Sequence, residues 1–284
     1  MKLKNTLFAS LLTLFVTLAL ASCVKAQPSF DFVASGADTV SPEATNKEEQ
    51  KQKEPSVSAA IAEDPSEEDP SDAEYKYVAF TFDDGPHDTL TRKFVDKLAE
   101  YDGRGTFFVI GDRIDDKTAE SLKYAIDNGN EIGIHAFTHK YIFNSCDEDT
   151  YSKEIKYTRN TIFSYVGVEP HLMRPPQGAM TAERVQASKY PIILWSVDSR
   201  DWVYKDRSND NIAAENIDII VENVVSQVKN GDIILMHEIY DNSYQAFSVI
   251  IELLYREGYR FVTVSELLGE SIQSGIKYHS LVVN

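Results

Sequence analysis

Two adjacent carboxylates follow a short run of β-forming and small residues. The run covers residues 78–82, and Asp83 and Asp84 stand between it and a Gly85-Pro86 pair. This pattern predicts a buried strand whose carboxyl end carries both aspartates to a surface. Neighbouring carboxylates repel each other, so the pair is most stable where one binds a cation or an arginine and the other is free to act as a base. An ordinary turn is the alternative, because Asp, Gly and Pro are common turn residues.

Two histidines stand four residues apart after another predicted strand, residues 131–134. Three residues separate His135 from His139, and this spacing lets both imidazoles meet on one side of a helical turn or tight loop and bind a metal. Asp83 or Asp84, from the first strand end, would complete an Asp-His-His set with open coordination positions, which a hydrolytic zinc needs. The alternative is that one histidine is a satisfied polar residue and the other is solvated.

Three further predicted strand ends carry side chains that can do chemistry. Arg174 could pair with a carboxylate bidentately, and the rigid loop at residues 175–178 that follows it could bind an oxyanion through backbone N–H groups. Trp202, beside acidic residues, suits the wall of a sugar site. His237 can act as a general acid if a carboxylate orients it. Each of the three has an alternative when taken alone: a Pro-rich turn with a surface arginine, a core tryptophan, and a structural histidine.

The elements that position these residues alternate between strands and helices. The predicted strands cover residues 78–82, 106–110, 131–134, 171–174, 191–197, 232–236 and 259–262. Helices are predicted at residues 89–101, 117–128, 150–165, 181–188, 212–229, 243–257 and 264–268. This alternation predicts an α/β domain with a parallel sheet. We expect a distorted (β/α) barrel of about seven parallel strands, with a doubly wound open sheet as the alternative. In either fold, sites lie at the carboxyl ends of the strands.

Five stretches, in this order, resemble the five motifs of the polysaccharide deacetylases with a NodB homology domain, carbohydrate esterase family four. They are residues 81–86, 135–139, 174–178, 198–202 and 235–237, and the resemblance covers about residues 75–269. It implies the NodB homology fold, a distorted (β/α) barrel. It also implies a metal-dependent hydrolase that removes N- or O-acetyl groups from sugars.

By this resemblance, three residues bind the metal and a fourth takes a proton from water. The metal ligands are Asp84, His135 and His139. Asp83 is the catalytic base, and Arg174 orients it. Zinc is the first choice of metal for an Asp-His-His site, and cobalt or nickel would also fit.

The same resemblance assigns the leaving-group side of the reaction. His237 is the general acid, and Asp201 orients it. Trp202 and Leu235 line the acetyl pocket, while the backbone N–H of Gln177 joins the metal in the oxyanion site.

Two positions depart from the family pattern. Ala136 stands where the family usually has Ser or Thr, so we expect a hydrogen bond that braces the loop to be missing. Gln177 stands where the family usually has Tyr, so an aromatic contact to the substrate is lost and the substrate preference is open.

The first 23 residues have the features of a bacterial lipoprotein signal. Lys2 and Lys4 precede an apolar run at residues 7–20, which is too short to be assigned as a membrane span. The small residues before Cys23 resemble a lipobox, which implies lipidation of Cys23 and membrane anchoring on the side facing the cell wall. An ordinary secretory signal is the alternative. With Cys23 lipidated, Cys146 has no partner for a disulfide.

An acidic, apolar-poor segment separates the signal from the domain. Residues 24–74 contain 13 acidic and 4 basic residues, a composition that predicts a disordered tether. The whole chain has a net charge of −17, and much of this charge falls on the domain that follows. An acidic domain argues against nucleic acid as a partner. Residues 270–284 form a C-terminal tail whose structure the sequence does not indicate.

The expected substrate follows from the location and the resemblance. A tethered lipoprotein faces the cell wall, so the N-acetyl sugars of peptidoglycan are the first candidate. O-deacetylation of acetylxylan or another polysaccharide is the second. A non-catalytic sugar-binding lipoprotein of the same fold is the third. The sequence does not indicate an oligomeric state.

Overall fold

A buried strand, β1 (Lys76–Gly85), lies in the middle of the sheet and ends at the paired aspartates. It pairs in parallel with β2 (Thr106–Ile110) on one edge and with β6 (Ile233–His237) on the other. Its first residues pair in parallel with β7 (Tyr259–Phe261). The structure is a computed structural model that describes residues 75–204 and 214–281. The predicted signal, Cys23 and the tether at residues 24–74 lie outside the described residues.

The sheet curves into a distorted barrel. Its strand order is β3-β2-β1-β6-β5, where β3 is Glu131–Ala136 and β5 is Val197–Asp198. A short strand, β4 (Ile192–Ile193), is linked to β3 through Met173, which forms bridges to both. The strand ladders are parallel. The prediction of an α/β fold with a distorted (β/α) barrel is therefore confirmed.

Two of the predicted strands differ from the strands that the structure contains. Residues 171–174 contribute only the bridges at Met173, because the two prolines that follow have no N–H to extend a ladder. The strand predicted at residues 191–197 is divided into β4 and β5. The division lies where the carbonyls of Ile193 and Leu194 accept hydrogen bonds from the Arg174 side chain.

Helices fill the connections between the strands, as predicted. They are α1 (Leu90–Ala99), α2 (Asp116–Asp127), α3 (Glu148–Val166), α4 (Ala182–Ala187), α5 (Ala214–Val225), α6 (Asp241–Arg256) and α7 (Val264–Leu268). Asp115 and Thr263 form capping boxes at the starts of α2 and α7. Gly167 ends α3 with a φ of 82°, a conformation that glycine adopts without steric cost. No helix within residues 75–204 and 214–281 has the length and apolarity needed to cross a membrane.

The segment after Gly269, which the sequence left as a tail, packs on the barrel. Residues 277–278 form β8 (Lys277–Tyr278), which pairs with β4. Farther on, the backbone N–H of Leu281 donates to the carbonyl of Gly231 at 2.7 Å. The folded unit therefore extends at least to Leu281.

Phenylalanine rings pack under the end of β1. Phe82 is fully buried, and its ring centroid lies 4.7 Å from that of Phe94, 4.9 Å from that of Phe107 and 5.3 Å from that of Phe247. Such aromatic contacts stabilise the fold beyond the area they bury. They hold the strand that carries Asp83 against helices α1 and α6.

Replacing Phe82 by alanine should destabilise the domain through the cavity it leaves. We expect a loss of about 3–5 kcal/mol in the free energy of unfolding, the usual range for a buried Phe→Ala change. Urea denaturation measures this loss. Tyr77→Ala, on the same strand but 43% exposed, is the matched control and should change stability by less than about 0.5 kcal/mol. Equal losses in the two variants would contradict this account of the core.

Candidate active site

Arg174 is fully buried and binds Asp83. Its Nη1 lies 2.8 Å from Oδ1 of Asp83 and 2.8 Å from the hydroxyl of Thr81. Nε and Nη2 donate to the carbonyls of Ile193 and Leu194 at 3.0 and 2.9 Å. The bidentate pair suggested by the sequence is therefore not formed, because backbone carbonyls occupy the other nitrogens. The contact holds Asp83 through one oxygen.

Asp84, His135 and His139 form a cluster with the geometry of a metal site. One ligand atom from each residue lies within 4.8 Å of the others. The Nε2 atoms of both histidines are 3.5 Å from Oδ1 of Asp84. This oxygen is buried and accepts no hydrogen bond from the described residues, so it lacks the partner that a buried polar atom normally has. The donor set therefore fits a divalent metal of the zinc type.

The charges around this cluster favour a cation between its members. Burial raises the pKa of Asp84, but contact with His135 and the charges of His237 and His139 outweigh it, so the pKa lies well below its usual range. Burial lowers the pKa of His135, yet Asp83 and Asp84 outweigh it and raise that pKa. Burial and the charge of His135 lower the pKa of His139. The ionised form of Asp84 and the neutral form of His139 are those in which these side chains bind metals, whereas His135 must give up a proton when a metal binds.

The backbone turns sharply to bring the cluster together. Asp84 and His139 adopt φ values of 70° and 57°, a conformation that is uncommon for residues other than glycine. The ring of His135 is oriented by its Nδ1 atom, which lies 2.8 Å from the carbonyl of Arg174. Such contacts turn the other ring nitrogen toward a metal.

Helix α3 braces the loop between the two histidines. The side chain of Glu154 is buried and accepts hydrogen bonds at 2.8 Å from the backbone N–H groups of Phe137 and Thr138, and from the Thr138 hydroxyl. The sequence analysis missed this residue. A signal was present, since Glu154 stands on the buried stripe of α3 with Tyr151 and Thr158, where an acid needs a partner.

His237 is held by Asp201, as the resemblance implied. Its Nδ1 lies 2.7 Å from Oδ1 of Asp201, and its backbone N–H donates to Oδ2 at 2.7 Å. Ser243, which the sequence analysis missed, donates its hydroxyl to Oδ2 of Asp201 at 2.6 Å. Burial lowers the pKa of His237, but Asp201 outweighs it and raises the pKa to about 9. The imidazole therefore carries a proton at neutral pH.

A cavity of about 500 Å³ brings the predicted residues together. Arg174 and Asp201 lie fully buried behind its lining. Eight of the residues predicted for the site line it: Asp83, Asp84, His135, His139, Gln177, Trp202, Leu235 and His237.

The turn at Gln177 contributes to the lining of this cavity. Gln177 has a φ of 58° and Gly178 a φ of 67°. The N–H groups of Gly178 and Ala179 donate to the carbonyls of Pro175 and Pro176 at 2.9 and 3.1 Å, so these two groups are engaged within the turn. A Cβ atom at Gly178 would lie 3.1 Å from the ring of Trp195, so this turn packs closely against the aromatic wall.

The lining also contains three residues without a predicted role: Trp195, Asp198 and Tyr240. Trp195 and Asp198 stand in the stretch that leads to Trp202. Tyr240 lies three residues after His237, and the two ring centroids are 6.2 Å apart. Proximity in sequence to the motif residues was the signal that could have identified them.

A further buried acid, Glu238, lies behind the site. It is fully buried, and its carboxyl accepts a hydrogen bond from Thr91. Burial raises the pKa of Glu238 to about 8. Its carboxyl occupies the space into which a Cβ atom on Gly85 would project, which explains why glycine follows the paired aspartates.

Comparison with known proteins shows that this chain is similar to deacetylases. A family model described as "Polysaccharide deacetylase" matches residues 71–190. A peptidoglycan-N-acetylglucosamine deacetylase of Bacillus cereus is 37% identical over 201 residues, which are 68% of this chain and 88% of that protein. The peptidoglycan-N-acetylglucosamine deacetylase PgdA of Listeria monocytogenes is 32% identical over 203 residues, 72% of this chain. The chain spans 41% of the length of the Listeria protein.

Solved structures share the fold. A family 4 acetyl xylan esterase from Clostridium thermocellum, in complex with a cobalt ion, superposes with a TM-score of 0.64 at 29% identity. The match covers 73% of this chain and 100% of that one. The similarity extends along the described domain.

Removing a histidine of the cluster should remove tight metal binding. For His139→Ala we expect the zinc content of the purified, zinc-loaded chain to fall to a small fraction of the wild-type value, because two remaining ligands are too few for a stable site. Elemental analysis after dialysis measures it. His171→Ala changes an exposed histidine outside the cavity and is the control. Wild-type zinc content in His139→Ala would place the metal elsewhere.

Proposed function

The chain belongs to the polysaccharide deacetylase family, and we propose that it is a metal-dependent hydrolase acting on the N-acetyl groups of peptidoglycan sugars. One observation carries the proposal. A single cavity contains a carboxylate held by a buried arginine, an Asp-His-His cluster and a histidine held by a buried carboxylate. These are the groups that amide hydrolysis needs.

The metal would be held by Asp84, His135 and His139. We propose zinc as the native ion, while cobalt and nickel suit the same ligands. When bound, a divalent metal polarises an acyl carbonyl and makes water more acidic.

Asp83 takes the role of general base. Arg174 binds Oδ1 of this carboxylate, while Oδ2 faces the histidine cluster, 3.9 Å from Nε2 of His135. One oxygen is thus fixed, and the other is available to accept the proton of the attacking water.

His237 takes the role of general acid. Asp201 binds its Nδ1, so Nε2 is the atom that can donate a proton to the leaving nitrogen. The raised pKa of His237 ensures that this proton is present at neutral pH. Protonation matters here because an unprotonated amine anion is a very poor leaving group.

The walls of the cavity suit an acetylated sugar. Trp202 is 43% exposed and contributes an aromatic side chain to the lining, while Leu235 is nearly buried and would offer an apolar surface to the acetyl methyl group. Pockets for small ligands commonly combine apolar walls with a few polar groups. The backbone N–H of Gln177 would donate to the oxyanion that forms at the acetyl carbonyl.

The names of the relatives and the predicted location of the chain both favour peptidoglycan as the substrate. The Bacillus and Listeria relatives carry the name of peptidoglycan deacetylases. A lipid on Cys23 and an acidic tether at residues 24–74 would hold the domain, residues 75–269 together with the segment up to Leu281, outside the cytoplasm and near the wall. Acetylxylan is the second candidate, favoured by the similarity to an acetyl xylan esterase.

Acetate release from a panel of substrates tests the function. The panel contains peptidoglycan, N-acetylglucosamine oligomers and acetylxylan, each with the zinc-loaded and the chelator-treated chain. We expect zinc-dependent release that is fastest on peptidoglycan. Faster release from acetylxylan would select the second substrate. Release from none of the three, with sugar binding retained, would show a binding protein instead of an enzyme.

The roles of Asp83 and His237 can be separated by the leaving group of the substrate. His237→Ala should lose about 10²- to 10⁴-fold in rate on an N-acetyl substrate, the usual contribution of a positioned general acid. An ester with an activated phenolate leaving group needs no protonation, so it should partly restore the rate of His237→Ala. Asp83→Asn should not be restored, because both substrates need a base to activate water.

Zinc content is the control for this comparison. Both variants should retain wild-type zinc, since neither side chain belongs to the Asp-His-His cluster. Equal recovery of the two variants on the ester, or loss of zinc in Asp83→Asn, would show that the roles are assigned wrongly.

A further inference from the structure

A shallow groove of about 310 Å³ lies against α3, outside the active-site cavity. We call it the α3 groove. Its lining residues combine aromatic rings with neutral hydroxyl and amide groups, and they are Phe137, Tyr157, Asn160, Thr161, Ser164 and Tyr165. None of these six side chains is charged.

The groove does not arise from packing of the core. Tyr157, Thr161 and Tyr165 stand four residues apart on α3, so their side chains lie along one stripe of the helix. The buried residues of α3, among them Thr158 and Ile162, form a different stripe. Tyr157 and Tyr165 are 44% and 38% exposed. A cluster of exposed aromatic side chains commonly marks an interaction site.

The α3 groove is joined to the metal-binding loop through one residue. The ring of Phe137 lies 5.6 Å from that of Tyr157 in an edge-to-face contact. Phe137 is two residues from both His135 and His139, so its Cα lies within roughly 7 Å of theirs. Its backbone N–H is bonded to Glu154 of α3. The groove and the loop that carries the metal ligands are therefore fixed to each other.

The uncharged aromatic and polar side chains of the groove favour a neutral carbohydrate as the ligand. Sugar rings have apolar C–H faces that pack on aromatic rings, and hydroxyl and acetamido groups that bond to hydroxyls and amides such as those of Thr161 and Asn160. Tyrosine serves both needs, since its ring is apolar and its hydroxyl is polar. The lining residues contain no charged side chain that could form an ion pair with a charged ligand.

We propose that the α3 groove binds sugar residues of the same glycan strand whose acetyl group occupies the active-site cavity. The proposal rests on the proposed function for the class of ligand. A polysaccharide extends beyond the cavity, and Phe137 places one part of the groove two residues from each metal-binding histidine. The groove then contributes affinity for long substrates and leaves the chemical step unchanged.

Kinetics on long and short substrates test this proposal. Replacing both Tyr157 and Tyr165 by alanine should raise KM for an N-acetylglucosamine hexamer about tenfold, because two aromatic contacts are lost. The value of kcat should stay at the wild-type level, and so should KM for a short acetylated substrate. Phe163→Ala is the matched control, since Phe163 is 54% exposed on the same helix but does not line the groove.

A binding measurement separates this proposal from the proposed function. Calorimetry with the hexamer needs no turnover, and the affinity should fall about tenfold in the double variant and not in Phe163→Ala. Thr161→Arg, which would fill the groove with a long side chain, gives a second test if the double variant folds poorly. Hexamer binding that depends on the tyrosines, without acetate release by the wild type, would overturn the proposed function alone.

Two outcomes would overturn the groove proposal. One is acetate release by a wild type whose hexamer affinity is unchanged in the double variant and in Thr161→Arg. The other is a change of sedimentation coefficient in the double variant with unchanged hexamer affinity, which would make this surface a contact between copies of the chain.

Discussion

The site depends on the buried ion pair between Arg174 and Asp83. Removing two charges from water is costly, and the cost is met only where the remaining hydrogen-bonding groups are satisfied. Arg174 meets this condition through the hydroxyl of Thr81 and the carbonyls of Ile193 and Leu194. The Arg174 side chain thereby links its own loop to β1, which carries Thr81 and Asp83. It also links that loop to the segment between β4 and β5, which carries the two carbonyls. The position of Asp83 is thus coupled to the closure of the barrel.

Three carboxylates in and behind the cavity each face a different basic partner. Asp83 has the permanently charged Arg174, Asp201 has His237, and Asp84 has the two imidazoles of the cluster. Each of these carboxylates therefore has a basic group within contact distance, which reduces the repulsion between acids that share one cavity. The pairing also distinguishes their chemistry, because only Asp84 stands with its partners in a cluster whose geometry fits a metal ion. Asp201 raises the pKa of His237 above neutral pH, so this histidine can act as a proton donor.

The sequence predicted the fold and the cavity residues because both follow from local patterns. Apolar runs such as residues 78–82 ended at polar side chains, and parallel strands bring their carboxyl ends to one edge. Partners that depend on tertiary distances could not be predicted, as with Ser243 and the hydroxyl of Thr81. The buried stripe of α3 indicated that Glu154 needs a partner, but it did not indicate which groups Glu154 binds. The pairing of β8 with β4 was missed for the same reason, since residues 277–278 have no strand pattern of their own. Resemblance to a family supplied the roles, which spacing alone left open.

The loop of the metal ligands shows why a departure from a family pattern must be judged in three dimensions. Ala136 brings no hydroxyl to brace that loop, and it is fully buried at the end of β3. Bracing comes instead from Glu154, which binds two consecutive N–H groups of the loop. A buried carboxylate that accepts two backbone bonds holds a loop more firmly than one neutral hydroxyl can, because charge-assisted bonds are stronger. The geometry of the metal site therefore depends on helix α3, and so does the groove that we assign to the glycan.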